Sequence, residues 1–120
     1  MNLYIATKWE LWPTVADLAV AAKRFGHTIT YPWWVHEQAS PEQALKDIAG
    51  VKTADVLIVL AEQEVPYRGV YVELGVALSA GIPVWLVGTG LDQCLFAKHP
   101  LVKRFSSLQP VLVLLATPEG

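Results

Sequence analysis

The segment from Asp55 to Ala61 reads DVLIVLA, and it constrains the fold more than any other part of the chain. After its single acid, every side chain in this segment is apolar. A strand with one face in water alternates between apolar and polar residues, whereas a continuous apolar run indicates a strand covered on both faces. The segment therefore predicts a central strand of a parallel sheet, with helices above and below it.

Other short runs of apolar, β-branched or aromatic residues predict four further strands. These lie at Leu3–Ala6, Thr28–Tyr31, Pro83–Val87 and, as the shortest, Val102–Phe105.

Helical patterns separate these strands. Residues Val15–Phe25 carry an apolar stripe at helical spacing, and Gly26 follows where a C-terminal cap belongs. The sequence Ser40–Gln43 combines a capping serine, a proline at the first helical position and a glutamine at the capping-box position. It predicts a helix that ends at about Gly50, and a further helix is predicted over Gly69–Ala80.

Alternating strands and helices predict right-handed βαβ units. We expect residues 1–120 to form a single domain, an α/β flavodoxin-like three-layer sandwich with a mainly parallel five-stranded sheet. The segment Val111–Leu115 has strand propensity, but Pro110 in a first turn also permits a helix. Ligands bind beyond the carboxyl ends of parallel strands, so the loops of interest are 7–12, 32–39, 62–68 and 88–100.

Composition excludes several classes of function. The net charge of −2 offers no basic surface for nucleic acid polymers. No apolar run is long enough to cross a bilayer, and no basic segment followed by an apolar run marks a signal peptide, so we expect a cytoplasmic protein without a membrane partner. The hydrophobic fraction of 53% is high for a short chain, which predicts a homodimer or a higher homo-oligomer.

Metal and thiol chemistry have little support. His27, His36 and His99 are scattered without ligand spacing, so neither a metal site nor a cofactor is predicted. Cys94 is the only cysteine, and with no helper histidine at a recognisable spacing it is expected to be a packing residue.

Glu73 is the most unusual residue in the sequence, because it is the only charged residue between Arg68 and Asp92. Its neighbours three and four positions away on the helix are small or apolar, so it lies on the buried stripe just after the central strand. Burying a carboxylate is costly unless its pKa rises or a partner compensates. Glu73 is therefore either a nucleophile or acid/base in a cleft, or a residue that answers the helix dipole or pairs with Arg68.

Two other acids border apolar surfaces. Asp47 lies beside the apolar stripe of the preceding helix, where it is either a site residue or an edge acid that meets Lys46 or Lys52. Asp55 opens the central strand, and there a role in fixing the helix–strand junction is favoured.

Aromatic and glycine residues in the loops allow two readings each. The tryptophans at positions 9, 12, 33 and 34 lie in two loops on the expected ligand side, where they either stack on a flat base or pack in the core or a dimer interface. Gly88-Thr89-Gly90 follows a strand, and it is either a phosphate loop or, more simply, a turn.

Three segments in register resemble the nucleoside 2-deoxyribosyltransferases, a family that includes related nucleotide N-hydrolases. They are the stretch from Asp47 to Asp55, the stretch from Arg68 to Gly75, which contains "ELG", and the strand that follows Gly81. Leu3-Tyr4-Ile5 followed by Trp9 also resembles the family's first strand and loop. The likeness spans about residues 3–88.

The resemblance implies a function. It places the nucleophile of N-glycosidic bond cleavage or transfer on Glu73, with a covalent glycosyl intermediate formed from a 2'-deoxynucleoside or its monophosphate. Asp47 would contact the nucleoside and help to protonate the leaving base, and Tyr4 would orient the nucleophile. Trp9, Tyr67, Arg68 and Gly69 are the further expected substrate-binding residues.

The sequence also departs from the family pattern. Tyr67 stands where the transferases carry an acid near the base, with Arg68 beside it, and the bulky Tyr71 stands where the nucleotide hydrolases often have a small residue. Two alternatives to an enzyme therefore remain. One is a non-catalytic module that binds or senses nucleotides on the same fold, and the other is a structural subunit whose apolar surface serves assembly.

Overall fold

The computed structural model describes residues 1–35, 39–62 and 66–117. Within these ranges the strands are β1 (Asn2–Ala6), β2 (Thr28–Ile29), β3 (Val56–Leu60), β4 (Val84–Val87) and β5 (Val102–Phe105). The α-helices are α1 (Trp12–Arg24), α2 (Pro41–Lys52), α3 (Arg68–Ser79) and α4 (Gln109–Ala116). Short 3₁₀ turns lie at Trp9–Leu11, Trp33–Val35 and Leu95–Lys98.

The strands form one sheet in the order β2-β1-β3-β4-β5, and every neighbouring pair is parallel. The apolar run within Asp55–Ala61 forms the central strand β3, and each side chain of this strand is buried. The predicted flavodoxin-like sandwich with a five-stranded parallel sheet is confirmed, and the described sheet contains no antiparallel pair.

Helices cover both faces because the crossover connections run in two directions. The chain passes from β1 to β2 by way of α1, and then turns back past β1 to β3 by way of α2. Right-handed connections in opposite directions place their helices on opposite faces. Side chains of β3 therefore alternate: Ile58 packs in the core shared with α1 and α4, while Leu57 and Val59 pack in the core shared with α2 and α3.

The ends of several elements differ from the prediction. Helix α2 does not end at Gly50 but continues to Lys52. The strand predicted over Thr28–Tyr31 is paired only at Thr28–Ile29. The ambiguous tail is a helix, because Val111 and Leu115, four residues apart, are both buried against the α1 side of the sheet.

Asp55 and Cys94 both have structural roles. The Asp55 carboxylate accepts a hydrogen bond of 2.6 Å from the backbone N–H of Asn2, so it links the starts of β1 and β3 instead of the expected helix and strand. The packing role expected for Cys94 is confirmed. Cys94 is half-buried and packs against the α2 and α3 side of the core.

Much apolar surface remains exposed on α2 and α3, including Leu45, Tyr71 and Val72. The homo-oligomer expected from composition stays a prediction. None of the described helices combines the length and the hydropathy that crossing a membrane requires.

Gly88 follows β4 directly and is constrained in two ways, so replacing it should lower the stability of the fold. Its φ is +91°, and an added Cβ would lie 2.5 Å from the carbonyl oxygen of Ala61. We expect Gly88→Ala to lower the free energy of unfolding by more than about 2 kcal/mol, because left-handed strain adds to steric overlap. Urea denaturation measures this loss.

Gly26 provides the matched control, since its φ is +89° but no described atom lies within 4 Å of an added Cβ. Gly26→Ala should show the strain alone, about 1–2 kcal/mol. Equal losses in the two variants would contradict the steric part of the argument.

Candidate functional site

The carboxyl ends of β1 and β3 form the point at which the strand order reverses, because the chain leaves β1 toward one edge of the sheet and returns to the other side. Such a point is where open α/β sheets hold ligands. Thr7 joins the two strand ends by donating a 2.7 Å hydrogen bond from Oγ1 to the Leu60 carbonyl. A cavity of about 550 Å³ opens here, a volume within the range of small-molecule sites.

The two carboxylates singled out in the sequence, Asp47 and Glu73, both line this cavity. They come from α2 and α3, which pack side by side on the same face of the sheet. Helix α2 begins as its sequence predicts, since the Ser40 Oγ accepts a hydrogen bond of 3.2 Å from the Gln43 N–H and Pro41 takes the first position. Within the described residues no ion pair joins Glu73 to Arg68, so the proposed alternative of a surface pair does not apply.

Burial raises the pKa of Glu73 to about 7. The loss of hydration is the largest cause, and the nearby charge of Asp47 acts in the same direction. Hydrogen bonding from Tyr4 acts the other way and lowers the pKa. The carboxyl of Glu73 can therefore gain and lose a proton near neutral pH, as a nucleophile or general acid/base requires.

Tyr4 lies in β1, fully buried, beside both carboxylates. Burial, and then the charges of Glu73 and Asp47, hold the pKa of its phenol far above the usual value, so the hydroxyl keeps its proton. This hydroxyl does not reach ideal hydrogen-bond geometry with any described group, yet it is close enough to influence both acids. Tyr4 is thus a permanent donor in the wall behind the site.

The remaining expected residues also gather at the cavity, which is lined by Trp9, Tyr67, Arg68 and Gly69. Tyr67 is almost completely buried, whereas Trp9 and Arg68 are exposed at the rim. Gly69 lies so close that an added Cβ would be 3.9 Å from the Glu73 Oε1. Since both Arg68 and Gly69 belong to the first turn of α3, the amino end of this helix faces the cavity.

The four loop tryptophans lie in different environments. Trp9 and Trp33 line the cavity with their ring centroids 6.0 Å apart, and the Trp33 Nε1 donates a 2.6 Å hydrogen bond to the Ile5 carbonyl. Trp34 packs edge-on against Trp33 as part of the α1-side core. Trp12 is exposed at the start of α1. Only the first two are placed to contact a ligand.

Sequence reasoning did not select Lys8, Glu10 and Tyr31. Lys8 and Glu10 line the cavity from the loop after β1, a loop identified as of interest without these residues being chosen. Tyr31 follows β2, and burial together with the charge of Asp47 raises the pKa of its phenol. Its position at a strand's carboxyl end was the available signal.

Other predicted features lie elsewhere. The segment 88–100 contributes no described residue to the cavity, and Gly88-Thr89-Gly90 is a turn in which the Gly90 N–H donates to the Ala61 carbonyl at 2.6 Å. His36 and part of the 62–68 loop lie outside the described residues. Among the residues that are described, no cluster of three or more His, Cys, Asp or Glu could hold a metal ion.

The raised pKa of Glu73 predicts how stability depends on pH. Between the ordinary value of 4.5 and about 7, the unfolded chain loses this proton while the folded chain keeps it, so stability falls as pH rises through this window. From about pH 5 to about pH 8, we expect wild type to lose about 2–3 kcal/mol relative to Glu73→Gln. Urea denaturation at the two pH values measures this difference, and parallel pH dependences of the two proteins would contradict it.

Comparison with known proteins agrees with this architecture. The family model described as nucleoside 2-deoxyribosyltransferase matches residues 3–103. A CMP N-glycosidase from Clostridium botulinum has a similar fold, with a TM-score of 0.68 and 19% sequence identity over 96% of this chain and 98% of that one. A 2-deoxyribosyltransferase from Bacillus psychrosaccharolyticus gives a TM-score of 0.72 and 19% identity over 100% of this chain and 99% of the other.

A third similar structure, a 2-deoxyribosyltransferase from Leishmania mexicana, has a TM-score of 0.62 and 19% identity, and the match covers 73% of this chain and 64% of that chain. No curated protein matches the sequence. The structural likenesses, at such low identity, show the fold, whereas the family model covers most of the sequence. The chain belongs to the nucleoside 2-deoxyribosyltransferase family.

Proposed function

We propose that this protein is an enzyme that cleaves the N-glycosidic bond of a 2'-deoxynucleoside or its 5'-monophosphate and passes the sugar to a second base or to water. Membership of the family supports the reaction class. The observation that carries the proposal is the carboxylate pair in one cavity, in which burial raises the pKa of Glu73 to about 7.

In the first step, the ionised Glu73 attacks the anomeric carbon. The C1'–N bond breaks, its electron pair goes to the base nitrogen, and a sugar ester of Glu73 forms. Because glycosidic bonds break through a state with oxocarbenium character, a carboxylate against one face of the sugar both stabilises the developing positive charge and traps it.

The leaving base needs a proton in this step. The reactive form of the pair is therefore the one in which Glu73 is ionised and Asp47 holds the proton, and Asp47 is the proposed donor from the neighbouring helix. In the second step the nitrogen of another base, or water, attacks C1' and expels Glu73. The proton that this nucleophile loses returns to Asp47, so both carboxyls end as they began. The Tyr4 hydroxyl, which keeps its own proton and lies beside Glu73, is proposed to donate to the ionised carboxylate and so to orient it.

The base is proposed to lie between the apolar part of the cavity and its aromatic rim. Trp9 and Trp33 offer flat surfaces there, and a planar base binds such surfaces by offset or edge-to-face stacking. The nearly complete burial of Tyr67 gives this wall a phenol where the transferases carry an acid.

Arg68 is proposed to select a 5'-phosphate. It lies exposed at the cavity, at the amino end of a 12-residue helix whose dipole also favours an anion. A guanidinium binds phosphate oxygens through paired hydrogen bonds, which gives the site a means to prefer nucleotides over nucleosides.

The carboxylate roles predict distinct losses of base release from deoxynucleosides and their monophosphates. We expect Glu73→Gln to abolish turnover. In the trapped wild-type protein, mass spectrometry should locate a sugar adduct on Glu73, and this adduct should be absent from Glu73→Gln. Asp47→Asn should lower kcat about 10²–10⁴-fold, because the leaving base loses its proton donor. Asp17→Asn, at an exposed acid of α1, serves as the control with unchanged rates.

Adding a free acceptor base separates transfer, which requires it, from hydrolysis, which does not. Full activity in Glu73→Gln would contradict the mechanism. If wild type releases no base but deoxynucleotides raise its melting temperature, the chain is a binding module instead.

The phosphate role predicts that Arg68→Gln separates nucleotides from nucleosides. Loss of a charged hydrogen-bonding partner should lower kcat/KM for the monophosphate about 10–100-fold and leave the nucleoside nearly unchanged. Arg24→Gln, at an exposed arginine in α1, is the matched control. Equal losses for both substrates would rule out a role in phosphate selection.

A further inference from the structure

Gly50 occupies a position in α2 that neither a turn nor a helix cap explains. The helix continues past it to Lys52, and its φ is not among the positive values that favour glycine. Glycine within a helix is less favourable than alanine, because the unfolded chain gains more freedom. A packing reason must therefore be sought at this residue, which is buried.

Two tyrosine side chains pack against Gly50, in the space that a side chain at this position would occupy. An added Cβ would lie 2.9 Å from the Cβ of Tyr31, and 3.0 and 3.1 Å from Cδ2 and Cε2 of Tyr4. Distances this short require something to move. Thr30 fixes the same point from the strand side, since its Oγ1 donates a 2.7 Å hydrogen bond to the Gly50 carbonyl. At Gly50, helix α2 thus packs closely on the middle of β1 and on the segment that follows β2.

This contact at Gly50 lies about one helical turn after Asp47, whose carboxyl lines the cavity. The hydroxyl oxygens of Tyr4 and Tyr31 are both buried, as is the Asp47 Oδ1. Both phenols feel the charge of Asp47, and Tyr4 also feels that of Glu73. The distance of α2 from the two rings therefore sets how far each hydroxyl lies from Asp47, and the position of the Tyr4 ring sets how far its hydroxyl lies from Glu73.

We propose that Gly50 is a positioning residue of the site: the absence of its side chain lets the rings of Tyr4 and Tyr31 pack against α2, which holds the Tyr4 hydroxyl beside Glu73 and Asp47 and the Tyr31 hydroxyl beside Asp47. The inference deepens the proposed function and rests on it for its kinetic consequences. Gly50 itself touches no substrate. It acts through the two tyrosines, and the structural arrangement exists whether or not the chain turns over a nucleoside.

Alanine at this position would displace the helix or the Tyr4 ring, because the Tyr31 Cβ is tied directly to the backbone. Hydrogen bonding from Tyr4 lowers the pKa of Glu73, so moving Tyr4 away would raise it. Among the described residues, two titratable groups act on Glu73, Tyr4 of β1 and Asp47 of α2. The other charged or titratable groups that line the same cavity are Lys8 and Glu10 of the loop after β1, and Tyr67 and Arg68 at the start of α3. The substitution changes none of these side chains chemically, so a shift in the titration of Glu73 reports their displacement.

The kinetic experiment compares Gly50→Ala with Gly75→Ala in the full chain, using deoxynucleotide base release. Gly75 is also helical, but no described atom lies within 4 Å of an added Cβ, so this control should keep wild-type rates. We expect Gly50→Ala to lower kcat about tenfold with KM within about twofold. In a Tyr4→Phe background the same change should cost less than about threefold, because the hydroxyl it misplaces is already gone. Full additivity would overturn the proposal.

A second measurement does not depend on turnover. In protein labelled with ¹³C at glutamate carboxyls, the Glu73 titration should move to higher pH in Gly50→Ala and stay unchanged in Gly75→Ala. An unchanged titration in folded Gly50→Ala overturns the inference, while absent base release in wild type overturns only the proposed function.

If Gly50→Ala does not fold, Tyr31→Phe tests the proposal instead, because it removes one of the two hydroxyls and keeps the ring packed against Gly50. It should lower kcat or, without turnover, move the titration of Asp47 in protein labelled with ¹³C at aspartate carboxyls, because the charge of Asp47 reaches the Tyr31 phenol. Tyr71→Phe on the exposed face of α3 should do neither. Identical behaviour of these two variants would overturn the proposal.

Discussion

Burial of β3 on both of its faces is the constraint from which the rest of the structure follows. A strand whose five side chains are all buried needs a paired neighbour on each edge and a helical layer above and below, and β1, β4 and the four described helices supply them. Because the connections into and out of β3 run in the same direction along the sheet, α2 and α3 lie on one face. Asp47 and Glu73 meet for that reason, although 25 intervening residues separate them in the sequence.

The buried carboxylate of the site lowers the stability of the fold. The apolar surroundings of Glu73 would favour a leucine or a valine, and burial of its charge raises its pKa to about 7. That same burial gives the carboxyl a protonation equilibrium near neutral pH and a desolvated approach to a sugar carbon. Tyr4 offsets part of the electrostatic cost, which keeps the ionised form accessible.

The support behind the carboxylates is aromatic. Tyr4 is fully buried, Tyr31 packs at the end of β2, and Trp33 is fixed by its hydrogen bond to the Ile5 carbonyl. Rigid rings with a polar end suit this position, because they fill the space between strands and helix and still present a donor. Gly50 allows the rings to approach the helix. Reacting groups held in this way by packed neighbours keep their geometry better than groups carried on free loops.

The sequence by itself determined the elements whose patterns are local. The apolar run of β3, the capping box before α2 and the helical spacing around Glu73 each depend on neighbours within a few residues, so the sheet, the layers and the most unusual acid were predictable. Tertiary structure alone decided the rest. The tail from Val111 to Leu115 fits a strand or a helix locally, and only packing against the sheet and α1 selects the helix.

In the sequence, Gly50 resembled a helix end and Tyr31 an ordinary strand residue. Their close packing could not be read from local patterns, because 18 intervening positions separate them. Local periodicity reports which face of an element is apolar, but it carries no information on which distant side chain will stand opposite. That information comes only from the crossing of α2 over β1 and the end of β2, near which a glycine, two tyrosines and two carboxylates lie together.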